Sequence, residues 1–171
     1  MMRKKRYIFL VLAMIVFFTT VIIEGVKEAH FDRNCTQYIE RAAHANSVET
    51  AKENLAKAIS YVETNNLTEG TVAVLFPQPK DDIGYWYDNI VDAYTVLENL
   101  PEDASNLEKT SVLTRIKDAL TDEDESGAYV VTPEGIGVYP NNALYFWVEM
   151  ASGFFVMIMA ATQFLTKRRW Y

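Results

Sequence analysis

One carboxylate lies inside a long apolar segment near the C-terminus. Glu149 is six residues into the apolar residues 143–165, which is about 9 Å along a helix. A charge at that depth in a bilayer is costly and normally faces protein rather than lipid. We favour a structural role, in which Glu149 pins two helices or a partner subunit. A proton or ion pathway is the alternative, and no second acid, His or Lys in either apolar segment supports it.

A stripe of mostly small or polar residues continues from this carboxylate. Its members recur at steps of four and three: Glu149, Gly153, Val156, Ala160 and Gln163. Small residues let helices approach closely, and polar residues hydrogen-bond across the contact. An antiparallel first helix would place Thr19 and Thr20 near the depth of the acid, where a hydroxyl can donate to it. We predict that these residues form a transmembrane interaction face.

A second group with chemical potential is the acidic run at residues 121–127. Asp122, Asp124 and Ser126 fall at positions 1, 3 and 5 of a calcium loop of the EF-hand kind, and Gly127 falls at position 6. The pattern then departs, because position 12 is Pro133 instead of a bidentate glutamate. The sequence thus offers a Ca²⁺ hypothesis, and the simpler interpretation is a solvated acidic helix end. No other cofactor is predicted.

A third group, Asp81, Asp88 and Asp92, lies near one face of a predicted helix that also carries Trp86. Paired carboxylates can do acid–base work, so a hydrolase is one hypothesis. The simpler interpretation is an amphipathic helix with Asp near its N-terminus and Trp86 in the core. Because nothing else completes a catalytic set, we name no catalytic residue and predict a non-enzymatic protein.

The remaining reactive side chains are few. Cys35, the only cysteine, lies on an apolar stripe, so we predict a buried thiol rather than a link between two chains. His30 and His44 lack metal-ligand spacing. Asn34 and Asn66 begin glycosylation acceptor patterns that count only in a eukaryotic source.

Two uncharged or nearly uncharged segments set the organisation of the 171 residues. Residues 7–23 follow four basic residues, and residues 143–166 precede three more. We predict two transmembrane helices, the first an uncleaved anchor, since no small-residue cleavage site follows it. By the positive-inside rule, the basic tails 1–6 and 167–171 lie in the cytoplasm. Residues 24–142 are then extracytoplasmic, and the protein lies in the inner or plasma membrane.

The extracytoplasmic part is acidic. Seven of the 16 basic residues lie in the tails and one of the 23 acidic residues is Glu149, so residues 24–142 hold 22 acidic and 9 basic residues, a net charge of −13. Such a surface does not suit nucleic acid. Four amphipathic helices are predicted in it, at 25–45, 47–64, 81–100 and 105–121, with a small β-hairpin over 128–139 near the membrane.

The starts of these helices also carry signals. The first is predicted to continue the first membrane helix outward, with only Gly25 against it. Asn46 as N-cap with Glu49 predicts a capping box for the helix at 47–64, and Ser105 with Glu108 predicts one for the helix at 105–121. The apolar positions of this last helix are Leu107, Leu113, Ile116 and Leu120.

The predicted fold class is therefore mainly α: two transmembrane helices that flank an extracytoplasmic bundle of about four helices. The layout alone is similar to the sensing half of a membrane receptor. Our leading hypothesis is a non-enzymatic accessory or assembly subunit, whose outer domain and transmembrane face bind another membrane protein or a second copy. The alternative is a domain that senses Ca²⁺ or another ligand and signals through a membrane partner.

Overall fold

The computed structural model describes the backbone of residues 2–124 and 127–168 and the side chains of residues 7–123 and 127–162. The described chain is mainly helical, with one small sheet. Its helices are α1 (Met2–Phe31), α2 (Gln37–Ala43), α3 (Val48–Thr64), α4 (Ile83–Glu98), α5 (Asn106–Leu120) and α6 (Asn142–Arg168). Its strands are β1 (Thr121–Asp124) and β2 (Gly127–Val130).

The first apolar segment continues outward as one long helix. α1 runs through Gly25 without a break, and a π-helical turn, Asp32–Thr36, joins it directly to α2. This continuity was expected from the stripe of apolar residues beyond Gly25. α1 with its extension and α6 are both long and apolar enough to cross a membrane, and the protein buries none of their most apolar stretches.

Local capping signals set where the other helices begin. Ser105 and Glu108 form the predicted capping box of α5, in which the serine hydroxyl accepts from the Glu108 N–H and the carboxylate accepts from the Ser105 N–H. For α3 the prediction of Asn46 as the N-cap is wrong by one residue. Ser47 is the cap, because its extended backbone aims its hydroxyl at the Thr50 N–H, 3.1 Å away.

One hydrophobic core joins α2, α3, α4 and α5 with the outer end of α1. Its largest fully buried side chains are Ile39, Leu55, Val62, Ile83, Ile90, Leu97 and Ile136. Trp86 is buried among them, and its indole N–H donates to the Val131 carbonyl oxygen at 2.9 Å. Leu107, predicted on the apolar face of α5, is instead 81% exposed. It lies in the first turn of α5, whereas Ile116 and Leu120 near the other end enter the core.

The β-hairpin forms, but from a different pair of segments than predicted. β1 pairs antiparallel with β2, with Thr121 opposite Val130. The second predicted strand is a 3₁₀ turn, Ile136–Val138, which follows Gly135 at a φ of +86°. This turn packs on α1, where the Gly137 N–H donates to Glu28 Oε1 at 3.1 Å, so its polar backbone is satisfied without a strand partner.

Candidate functional site

α1 and α6 pack as an antiparallel pair. A Cβ on Gly153 would lie 3.5 Å from the Phe17 ring, and Lys27 Nζ lies 5.2 Å from the centre of the Tyr145 ring. Residue numbers therefore rise along one helix as they fall along the other. The half-buried or buried positions of the seam recur in steps of three and four: Leu10, Ala13, Phe17, Thr20, Glu24 and Lys27 in α1, and Asn142, Tyr145, Glu149, Ser152, Val156 and Met159 in α6. This is the heptad spacing of a two-helix coiled coil.

The outer surface of this helix pair consists largely of large apolar side chains, whereas the seam mixes polar, small and apolar residues. Large apolar side chains point away from the seam along both helices, including Ile8, Leu12, Ile15, Ile22, Trp147, Phe154 and Ile158. Small or polar residues such as Thr20 and Ser152 lie in the seam. A helix pair in water has the reverse arrangement, with its apolar residues inside. Polar residues inside and large apolar residues outside are typical of helices packed in lipid.

Glu149 faces another carboxyl group across the seam. Glu24 and Glu149 line the same cavity and lie close enough for their charges to interact. Two neighbouring carboxylates repel each other when both are ionised, and protonation of one removes that repulsion. Glu149 Oε1 is buried, and among the described residues it has no hydrogen-bond partner.

In the part of the chain that the structure describes, neither Thr19 nor Thr20, the donors expected from the sequence, donates a hydrogen bond to Glu149. Thr20 lies in the seam, and its hydroxyl donates to the Val16 and Phe17 carbonyl oxygens of its own helix. Thr19 is exposed on the outside of the pair. Because the Thr20 hydroxyl proton is already donated within α1, it is not available to Glu149. The polar group that Glu149 faces across the seam is then the carboxyl group of Glu24.

The predicted interaction face is divided between the seam and the outside. Glu149, Gly153 and Val156 are partly covered by α1, whereas Ala160 is exposed. The side chain of Gln163 lies outside the described residues. Ser152 and Met159 fill seam positions in addition. α1 therefore covers the half of this face nearest Glu149, and Ala160 is free to contact lipid or a partner helix.

We call the bundle of α2–α5, with its loops and β-hairpin, the outer domain after its predicted position. A cavity of about 910 Å³, which we name the junction cavity, opens where the helix pair meets this domain. The loop before α4, the strand β2, the residues after β2 and both long helices contribute to its wall. Its lining includes six acidic residues, Glu24, Glu28, Asp81, Asp122, Glu134 and Glu149, and one lysine, Lys80. Such a cavity attracts cationic groups, since several carboxylates repel one another and one lysine compensates few of them.

Glu28 lines the junction cavity and also accepts the hydrogen bond from the Gly137 N–H that holds the 3₁₀ turn on α1. Burial raises the pKa of Glu28 above its ordinary value, the Gly137 N–H opposes that rise, and the charge of Glu134 adds to it. A folded-state pKa above the unfolded value means that the neutral acid is favoured in the fold. The resulting stability is present at low pH and is lost as the pH rises through the folded pKa.

The described residues of the predicted calcium site lie in the β-hairpin. Asp122 and Asp124 belong to β1, and Gly127 begins β2, so these residues do not form a helix–loop–helix calcium site. Ser126 lies outside the described residues. Within the described part of the chain, no three His, Cys, Asp or Glu residues are grouped so that they could hold a metal ion. Calcium binding by these residues stays a prediction.

The aspartates of the hydrolase hypothesis do not share a cleft, since Asp81 lines the junction cavity whereas Asp88 and Asp92 are not among its lining residues. Asp88 and Asp92 are exposed on α4, and Asp81 accepts from the Gln78 N–H at 2.8 Å. Tyr87, on the same helix, donates to Glu63 Oε1 at 2.7 Å. Burial and the Glu63 carboxylate raise the pKa of Tyr87 to about 12. The tyrosine thus serves as a neutral donor that joins α3 to α4.

The prediction of a buried thiol is confirmed. Cys35 is fully buried in the π-helical turn, and burial raises its pKa to about 12. A neutral thiol without access to solvent is a poor nucleophile and a poor disulfide partner. His30 and His44 are both exposed, and His30 Nδ1 lies 3.2 Å from the Tyr61 hydroxyl.

The junction cavity was missed at the level of sequence. Its walls come from distant parts of the chain, so only the heptad register of α1 and α6 could have paired Glu24 with Glu149 in advance. No family model, no curated protein and no solved structure matches this chain. The site therefore has to be interpreted from its own geometry.

Proposed function

We propose that this chain is a two-span protein of the inner or plasma membrane that serves as a non-enzymatic accessory or assembly subunit. In this proposal both termini are cytoplasmic and residues 24–142 form an extracytoplasmic helical bundle. The outward apolar surface of the helix pair and the basic residues at both chain ends support this placement. The pairing of α1 with α6 along the seam also favours an uncleaved first helix.

The observation that carries partner binding is the junction cavity, whose lining includes both Glu24 and Glu149. A buried carboxylate oxygen without a hydrogen-bond partner is costly, and the cost rises in a low dielectric. A lysine or arginine side chain from a partner would satisfy that oxygen and neutralise the carboxyl pair. The partner's basic group would enter near the outer membrane boundary, because six residues of α6 separate Glu149 from the start of its apolar segment.

The experiment is purification of the tagged full-length protein from its native membranes in a mild detergent. Wild-type protein is expected to retain a partner or to form a stable homo-oligomer. The double variant Glu24→Gln with Glu149→Gln keeps the shape of both side chains, removes both negative charges and is expected to lose that association. Asp88→Asn is the matched control, since it makes the same chemical change on an exposed face of α4.

Two outcomes would contradict the proposal. Wild-type protein that elutes as a clean monomer would show that the cavity has no protein occupant. An association that survives the double glutamine change, or that is lost equally in Asp88→Asn, would show that the carboxyl pair does not hold it. Reporter fusions at both ends of the chain test the orientation independently.

The same cavity favours sensing of a cationic ligand as a second candidate function. Ca²⁺ or an organic amine that bound only the folded state would stabilise it by about 2.7 kcal/mol at 100 times its Kd. Melting the full-length protein with CaCl₂, with EDTA and with a primary amine distinguishes the two functions. Stabilisation by one of these ions without any protein partner would favour sensing.

A further inference from the structure

A loop before α4 projects from the outer domain, and its tip carries two large apolar side chains, Leu75 and Phe76. Its base is closed where the Val72 N–H donates to the Asp81 carbonyl oxygen at 3.0 Å. Beyond that base, Leu75 is 51% exposed and Phe76 is 87% exposed. We name these two residues the apolar tip. Among the described residues nothing covers the Phe76 ring to any large extent.

The backbone of the apolar tip is set in an unusual conformation. Phe76 has a φ of +51°, in the left-handed region that glycine and asparagine enter more easily than an aromatic residue does. Pro77 and Pro79 follow and restrict the chain, and Gln78 and Asp81 cap the short turn at Pro79–Asp81. A bulky ring that is held in a costly conformation and exposed to water is a candidate for a functional role.

The position of the loop indicates which surroundings the Phe76 ring contacts. Val72, Val74 and Lys80 line the junction cavity together with Phe146 and Glu149 of α6. These two α6 residues belong to the segment predicted to enter the bilayer. Because Leu75 directly follows Val74, the apolar tip adjoins a cavity wall that also contains residues of α6.

Other large apolar side chains are exposed at or near the junction cavity. Tyr129 and Val131, on and just after β2, are also exposed beside the junction cavity, and Trp147 is exposed on α6. Aromatic rings at one height around membrane helices are typical of the headgroup zone. Phe and Leu side chains bind that zone by burying apolar area.

We propose that the apolar tip inserts into the interfacial region of the outer leaflet and fixes the outer domain against the bilayer. The occupant is lipid, and the contact is an anchor additional to the two helices. This inference rests on the proposed membrane topology. It does not depend on a protein partner in the junction cavity.

The test uses the full-length protein in phosphatidylcholine–phosphatidylglycerol liposomes. Cys35→Ala removes the native thiol, and single cysteines are introduced as Phe76→Cys, Val16→Cys or Leu107→Cys for labelling with an environment-sensitive fluorophore. Val16 lies within the first apolar segment. Leu107 is as exposed as Phe76 but lies 13 residues before the end of α5, about 20 Å along the helix from the β-hairpin.

Nitroxide-labelled lipids then report contact with the bilayer. We expect the label at residue 76 to lose fluorescence to a degree comparable with the label at residue 16, and the label at residue 107 to lose none. If residue 16 is quenched and residue 76 behaves like residue 107, the anchor is refuted while the membrane topology stands. If residue 16 is not quenched, both proposals fail.

Two further outcomes also overturn the anchor. A label at residue 76 that is shielded from aqueous iodide but not quenched by the lipid nitroxides would mean that protein covers the tip. Equal lipid quenching at residues 76 and 107 would mean that the whole outer domain lies on the membrane. In either case the apolar tip would have no special contact with lipid.

Discussion

Gly137 offers the sharpest test of how the outer domain is held on α1. It lies in the 3₁₀ turn Ile136–Val138, which packs directly on the long helix. A Cβ at this position would lie 3.0 Å from Glu28 Cα, Glu28 Cδ and the Lys27 carbonyl oxygen. Two of these three atoms belong to the backbone of α1 and cannot rotate away. Gly137→Ala must therefore move the whole turn away from the helix.

The expected magnitude follows from opposing effects. A Gly→Ala change at a compatible site stabilises by about 0.4–1 kcal/mol, because it restricts the unfolded chain. Overpacking by one carbon against a surface that cannot move costs about 1–3 kcal/mol. The bond from the Gly137 N–H to Glu28 Oε1, 3.1 Å long, is stretched at the same time. The first two effects leave a net loss of about 0–2.6 kcal/mol, and the weakened hydrogen bond adds about 0.5–1 kcal/mol. We therefore expect the free energy of unfolding to fall by about 1–3 kcal/mol.

The assay is thermal unfolding of the full-length protein in detergent, followed by tryptophan fluorescence. A loss of 1 kcal/mol lowers the Tm by about 2–4 °C for a chain of this size. Gly25→Ala is the matched control, since a Cβ there meets nothing within 4 Å inside α1, and alanine is the better helix former by about 1 kcal/mol. The reasoning is refuted if Gly137→Ala melts at or above the wild-type temperature, or if Gly25→Ala melts as early.

Two other perturbations test the interior of the fold. Because burial raises the pKa of Cys35 to about 12, the fold gains stability that is present below pH 9 and lost as the pH rises toward about 12. Denaturant unfolding should show that the free energy of unfolding falls by up to about 4 kcal/mol across that window. The Cys35→Ala variant should lack this loss. Gly153→Leu should force α6 away from Phe17 and lower the free energy of unfolding by about 1–3 kcal/mol. Gly153→Ala should equal wild type or exceed it by up to about 1 kcal/mol, because its Cβ would make an ordinary 3.5 Å contact with Phe17 and alanine is the better helix former. The exposed Ala160→Leu should stay within about 0.5 kcal/mol of wild type. Equal melting of all three variants would contradict the seam.

The parts of the fold that sequence predicts are those with local causes. The capping box at Ser105 and Glu108 needs only a turn of helix, and it forms as expected. The continuity of α1 past Gly25 follows from an apolar stripe that does not break. The N-cap of α3 shows where local prediction fails. Asn46 and Ser47 are both good cap residues, and only the backbone conformation of the folded chain selects Ser47.

The parts that sequence does not predict depend on contacts between distant segments. Residues 136–138 have the composition of a strand, yet packing of Gly137 on α1 turns them into a 3₁₀ turn. The partner of Glu149 depends on the register of two helices more than 100 residues apart, and depth alone pointed to Thr20 instead of Glu24. The heptad spacing was visible in both helices, but choosing the register required the fold between them.

The charge of the outer domain decides how it can approach a bilayer. With a net charge of −13, residues 24–142 are repelled by anionic headgroups within about a Debye length, roughly 8–10 Å. An electrostatic anchor is therefore unsuited to this domain, whereas burial of Leu75 and Phe76 is independent of charge. Added salt should then leave lipid quenching at residue 76 unchanged or increase it. A contact that weakened with salt would instead point to Lys80 and lipid phosphate as the attachment.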